Sequence, residues 1–256
     1  MNVEREELRF PGASGEEVRA VMLQGSAEEP GERSGVVLVH EVFGLDAYVL
    51  DVAEGLAAAG HAVIAPDLYS REGLPGPAST EAEPAPTWDS DQIRGAVASM
   101  PDRRAIADLE AAAALLIERF GVDDERLGAL GFCMGGNYAY LLGCASRSVS
   151  AVVDFYGRIV YPELSANKPT QPLELALNLG APFLGLFGAE DASIPAEHVQ
   201  RLDGVLSQFA KDFAIFTYPG AGHGFHNHRR PAFHEDAASD AWNRALAFLD
   251  EHLRQH

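Results

Sequence analysis

The sequence predicts an α/β protein, with a mainly parallel sheet covered by helices on both faces. Three observations carry this expectation: apolar runs of strand length recur along the chain, alanine- and leucine-rich segments of helix length separate them, and no linker interrupts the alternation. The runs are GVVLVH (35–40), AVIAP (62–66), RLGALGF (126–132), VSAVVDFYG (149–157), APFLGLFG (181–188) and FAIFTYPG (213–220). Residues 3–10 and 17–23 read as an antiparallel hairpin leading into them.

The helical segments are VLDVAEGLAAAG (49–60), DRRAIADLEAAAALLIERFG (102–121), MGGNYAYLLGCAS (134–146), PAEHVQRLDGVLSQFA (195–210) and DAASDAWNRALAFLDEHLRQH (236–256). Each carries apolar residues at helical spacing, and several end at glycine. The segment EGLPGPASTEAEPAPTWDSD (72–91) is rich in Pro, Ser and acids. A connection this long inside a compact domain is usually functional or mobile, so it is expected to be an insertion or lid over the carboxyl ends of the strands. There is no internal repeat, and residues 1–256 read as a single domain.

At 256 residues, 47% hydrophobic and 22% charged, the chain has the composition of a soluble globular protein. Nineteen basic against thirty-eight acidic side chains give a formal charge of −19. That charge repels polyanions, so nucleic acid and anionic membranes are excluded as expected partners. No run reaches the roughly 18 apolar residues of a membrane span, and MNVEREELRF has no apolar signal core, so the expected compartment is cytoplasmic. On one helix, Cys133 and Cys144 would stand roughly 16 Å apart, beyond the reach of about 7 Å that a disulfide allows. Both thiols are expected to be free, as suits a reducing interior.

In open parallel sheets the chemistry collects beyond the carboxyl ends of the strands, so the polar residues directly after each apolar run are the candidates. They are His40-Glu41, Cys133, Asp191 and His223. Gly131-Phe132-Cys133-Met134-Gly135 keeps the frame of the G-x-S-x-G nucleophile elbow and replaces its serine with cysteine. At a strand-to-helix turn the sulfur would face a helix N-terminus, which favours a thiolate. A lone cysteine is more often a small buried hydrophobe, and the flanking glycines argue against that here.

Asp191 and His223 complete the order nucleophile, acid, base. Taken singly, they would be a turn acid and a surface loop histidine. Together with Cys133 they supply what acyl transfer requires, an imidazole to move protons and a carboxylate to fix its tautomer. The backbone N–H groups of Met134 and Val42 are the expected oxyanion donors. Glu41 stands open between a solvated loop acid and an acid that regulates the thiol's proton. His223, His226, His228 and His234 crowd one stretch, but their spacing matches no structural zinc frame, so neither a metal nor another cofactor is expected. Cys144 reads as core packing, and the run EREE as a solvated face.

HEVFGL (40–45), PDLYSR (66–71), GFCMGG (131–136), FGAEDASIP (187–195) and YPGAGHGF (218–225) occur in this order. On these motifs the chain, from about residue 30 to its C-terminus, resembles the dienelactone hydrolase family, cysteine-dependent members of the α/β-hydrolase fold. The resemblance implies Cys133 as nucleophile, Asp191 and His223 as its partners, and Glu41 as the acid that meets the thiol at rest. It further implies that substrate moves this glutamate so that it accepts the proton and leaves a thiolate paired with histidine.

Arg71 matches the first of two arginines that hold the dienelactone carboxylate; the second position is Asn227 here, with Arg229 and Arg230 out of register. The expected activity is hydrolysis of a small ester or lactone. A broad-range carboxylesterase or thioesterase is the alternative within the enzyme class, and a non-catalytic ligand-binding protein the alternative outside it. Monomer and homodimer both stay open.

Overall fold

The computed structural model describes residues 3–25, 33–71 and 90–254. Its strands are β1 (Glu4–Pro11), β2 (Glu17–Gln24), β3 (Arg33–Val39), β4 (Ala62–Pro66), β5 (Val122–Phe132), β6 (Ala151–Phe155), β7 (Phe183–Gly188) and β8 (Phe213–Tyr218). They form one sheet in the order β1-β2-β4-β3-β5-β6-β7-β8. The hairpin β1–β2 and the β2–β4 pair are antiparallel, and all pairs from β4 to β8 are parallel.

The helices are α1 (Ala47–Ala58), α2 (Ser90–Ser99), α3 (Asp102–Phe120), α4 (Met134–Ala145), α5 (Ala196–Gln208) and α6 (Glu235–Arg254), with a 3₁₀ helix at Pro172–Asn178. Local signals account for their ends. The Asp46 side chain caps α1 by accepting the Val49 N–H at 3.1 Å, and Gly121 closes α3 in the left-handed conformation at φ 63°. Among the described residues, no helix is long and apolar enough to cross a membrane.

Side chains alternate across a strand, so two positions of β5 show which helix covers which face. Gly128 faces Leu249 and Leu253 of α6, whereas Gly131, three residues on, faces Gly135 of α4. Helices therefore cover both faces, and β4, β6 and β7 are buried along their whole length. This is the layering the apolar runs imply. The sequence pattern did not indicate α2, which follows the Pro- and acid-rich segment. Of that segment only residues 90–91, the start of α2, lie within the described residues; the expected lid at 72–89 lies outside them. Asn167 ties the end of α2 to the chain after β6, donating to the carbonyls of Ala98 and Ser99 at 3.1 Å.

The turn between β5 and α4 admits no side chain on its glycines. A Cβ on Gly131 would stand 2.0 Å from the Gly135 carbonyl oxygen, and one on Gly135 would stand 2.1 Å from the Val39 oxygen at the end of β3. The obstacles are backbone atoms, which cannot rotate away. Gly135→Ala is therefore predicted to lower stability by about 3 kcal/mol or more. Gly204→Ala, in α5 with nothing within 4 Å of its Cβ, is predicted to be neutral or stabilising by about 0.5–1 kcal/mol. Paired thermal unfolding of the two variants checks both.

Candidate active site

Strand β5 ends at Phe132 and α4 begins at Met134, so Cys133 occupies the corner alone. Its backbone sits at φ 55°, ψ −115°, a region that non-glycine residues enter at a cost of about 1–3 kcal/mol. Two hydrogen bonds hold it there, Cys133 N–H to the Phe155 oxygen at 2.9 Å and Asn137 N–H to the Cys133 oxygen at 3.3 Å. The sharp turn lifts the side chain off the strand end. Its sulfur lies 3.0 Å from His223 Nε2, and His223 Nδ1 lies 2.7 Å from Asp191 Oδ2.

Asp191 is fixed independently of the histidine, because its Oδ1 accepts the Ser193 and Ile194 N–H groups at 2.7 and 3.0 Å. Its Oδ2 is thereby turned to the imidazole. A carboxylate only accepts, so the shared proton resides on Nδ1 and Nε2 is left to the sulfur. Burial alone would lower the His223 pKa. The hydrogen bonds and charges of Asp191 and Cys133 outweigh it and push the group up to about 10, which favours the imidazolium. Chain segments after three separate strands thus bring sulfur, imidazole and carboxylate into one line.

Glu41 follows β3 and is buried, 4% exposed, which rules out the solvated loop acid. Asn227 Nδ2 donates to its Oε2 at 2.6 Å. Burial raises its pKa to about 7 against the opposing effects of Asn227, His223 and Arg230, so it titrates near neutrality. His40, just before it, is structural: Nε2 accepts the Leu68 N–H at 3.0 Å and Nδ1 reaches the Glu41 carbonyl at 2.6 Å. This pins the loop after β3 to the loop after β4. Tyr69 braces the predicted oxyanion region, its hydroxyl lying 3.2 Å from the Val42 carbonyl and 3.3 Å from Met134 Sδ.

The family profile for dienelactone hydrolases matches residues 20–253, with every motif above inside the matched span. The chain belongs to the dienelactone hydrolase family. It is 37% identical over 217 residues to a Salmonella typhimurium protein assigned as a carboxymethylenebutenolidase, covering 85% of this chain and 77% of the relative. It is 34% identical over 223 residues to a Bradyrhizobium protein assigned as a 2-oxo-3-(5-oxofuran-2-ylidene)propanoate lactonase, covering 87% and 86% of the two. Among solved structures, a Klebsiella pneumoniae protein assigned as a dienelactone hydrolase superposes with a TM-score of 0.88 at 32% identity, covering 98% of this chain and 100% of that one. This family member is accordingly a carboxylic ester hydrolase of the dienelactone hydrolase type.

Arg71, expected to hold substrate, is committed elsewhere in this dienelactone hydrolase family member. Its guanidinium meets Asp108 through two hydrogen bonds, at 2.5 and 2.9 Å, and its Nε pairs with Glu16 at 2.7 Å. Arg229 is bound to Asp51 at 2.7 and 3.0 Å. Arg230 instead stacks on Phe43 of the loop after β3, 3.7 Å from the ring centroid, and its charge reaches Glu41 and Asp46. The crowded histidines disperse: His226 to the Tyr48 hydroxyl, His228 to Asp51 and His234 to the Ala237 N–H. Asn227, visible in the sequence only as the absence of an arginine, is the residue that holds Glu41. Cys144 packs against the core, and both cysteines are free.

Glu41 has a stability consequence with a definite sign. Its pKa in the fold, about 7, lies above the ordinary 4.5, so its contribution is present below about pH 4.5 and is lost as pH rises through 7. Glu41→Gln keeps an acceptor for Asn227 and removes the charge. It is predicted to raise stability at pH 8 by roughly 2–3 kcal/mol and to change it little at pH 5. Denaturant titrations at the two pH values check the difference.

Proposed function

We propose that this protein hydrolyses a small ester or lactone through an acyl-enzyme on Cys133. The observation that supports the reading is the contact line from sulfur to imidazole to carboxylate, 3.0 and 2.7 Å. In this mechanism the Cys133 thiolate attacks the carbonyl carbon, and the N–H groups of Met134 and Val42 receive the oxyanion. The first-turn N–H of α4 has no intrahelical acceptor and is suited to that task. His223, as imidazolium, protonates the departing alkoxide; in a lactone the departing group stays attached as the other end of the opened ring. Neutral His223 then takes a proton from water, whose oxygen attacks the thioester and releases the acid. Asp191 holds the tautomer throughout, and Glu41 takes up the thiol proton when substrate arrives.

The position of the guanidinium groups bears on substrate charge. Arg71 is answered by Asp108 and Glu16, so we assign the attraction of an anionic lactone to Arg230, beside the loop after β3. A neutral ester would need neither. The test is steady-state hydrolysis of 4-nitrophenyl acetate and of a carboxylate-bearing lactone. Cys133→Ala is predicted to lose at least about 1,000-fold in kcat/KM on both substrates. Arg230→Ala is predicted to raise KM for the lactone about ten-fold and leave the neutral ester unchanged. Cys133→Ala turning over at the wild-type rate would overturn the mechanism, and equal effects of Arg230→Ala on both substrates would remove its role.

A further inference from the structure

A groove of about 310 Å³ opens between α1, α6 and the loop after β8. Four rings line it, His226, His228, Phe233 and Trp242, together with two acids, Asp51 and Glu235. Cys133, Asp191 and His223 are not among its lining residues, so it is separate from the candidate site. His226 is the partition between the two. Its ring centroid lies 5.6 Å from that of Trp242 in the groove, and 5.2 and 5.0 Å from those of Phe132 and Phe155, the residue before Cys133 and its neighbour across the sheet. Trp242 lies close against α1 because residue 55 is glycine; a Cβ there would stand 3.1 Å from the indole Cζ2. Phe233 is left 40% exposed, apolar surface that a ligand would cover.

Buried hydrogen bonds fix the direction of one donor at this groove. His226 Nδ1 lies 2.8 Å from the Tyr48 hydroxyl. That hydroxyl is also hydrogen-bonded to Tyr156, which is fully buried and has no other partner among the described residues. Tyr156 therefore donates to Tyr48 and Tyr48 donates to Nδ1, since the reverse order strands a buried phenol proton. Burial pushes the His226 pKa down to about 4, so the imidazole is neutral and carries its one proton on Nε2. Among the described residues Nε2 has no partner, and it is not one of the unpaired atoms sealed in the interior. Its N–H is left for whatever occupies the groove.

The charges around the groove select against ions. Both oxygens of Asp51 are taken by Arg229, at 3.0 and 2.7 Å, and Oδ2 also meets His228 Nε2 at 3.0 Å. A cation would find Asp51 already answered and Glu235 exposed, where an ion pair is worth little. An anion would face both acids and the overall charge of −19. A neutral planar ring meets neither obstacle and gains contact with four rings. About 150 Å³ is enough to hold benzene, so this groove takes a substituted ring.

We propose that the groove is a second binding site, for a neutral aromatic molecule that packs among Trp242, Phe233 and His228 and sets a carbonyl oxygen on His226 Nε2. The site lies outside the catalytic groups and does not depend on the hydrolase reading.

The test is calorimetric titration with acetophenone, compared with ethylbenzene, which keeps the frame without the oxygen, and with benzoate and benzylammonium. Acetophenone is expected to bind saturably, one to one, and equally well after Cys133 has been capped with iodoacetamide. The two ions should bind more weakly. His226→Phe keeps a ring and removes the donor; it should weaken acetophenone about five-fold and leave ethylbenzene unchanged. Phe233→Ala, at an exposed position on which the fold does not rely, should weaken both neutral probes about three- to ten-fold.

No saturable binding, loss of binding once Cys133 is capped, or wild-type affinity in Phe233→Ala would overturn the proposal. So would an ion that binds more tightly than acetophenone, or a His226→Phe variant that discriminates between the two neutral probes as wild type does. Binding needs no turnover. An esterase-active Cys133→Ala would sink the acyl-enzyme mechanism and leave the groove's occupant standing.

Discussion

The candidate site depends on one steric constraint, the contact of the first turn of α4 with the backbone at the end of β3. With no atom beyond Cα at Gly131 and Gly135, the helix comes down until carbonyl oxygens and Cα carbons touch. That contact forces Cys133 into its left-handed corner and aims its sulfur past the strand end. The same descent points the free N–H groups of a helix terminus at the space above the thiol, where anionic charge is favoured. Steric fit and electrostatics therefore act at one place.

A second element gathers the remaining groups. The loop from residue 223 to 230 carries His223 to the sulfur, His226 to Tyr48, Asn227 to Glu41 and Arg230 to Phe43. Side chains with different tasks are thus locked to each other through one stretch of backbone. The electrostatic pattern is consistent around it. Burial holds Glu41 and Asp154 at about 7, and partners hold His223 near 10. Each of these groups binds protons more tightly in the fold than in the open chain. All three contributions to stability therefore decline as pH rises, the acids as pH passes 7 and the histidine as it passes 10.

Much of this was legible in the sequence, for identifiable reasons. The strands from 35 to 220 announce themselves because a parallel strand covered on both faces must be apolar throughout. Cys133, Asp191 and His223 stand out because each lies within three residues of the end of such a run. Composition and spacing do not reveal the residues whose task is set by a partner far along the chain. Asn227 signifies nothing until Glu41 is placed beside it, 186 residues earlier. Arg71 sits in a motif that matches the family, yet Asp108, on a helix whose apolar pattern hides its acids, claims the guanidinium. Helix α2 follows a Pro-rich stretch whose composition masks the change of structure.

In the proposed mechanism the sulfur itself bonds to the substrate, and a direct measurement of that bond tests it best. Rapid acid quench during turnover of an activated ester, followed by peptide mass analysis, should show the acyl mass on the peptide containing Cys133. The adduct should build up in the first turnover and persist when His223 is replaced by alanine and the ester's leaving group needs no proton. Sustained turnover with that peptide unmodified at every quench time, or with the acyl group on another residue, would contradict the account.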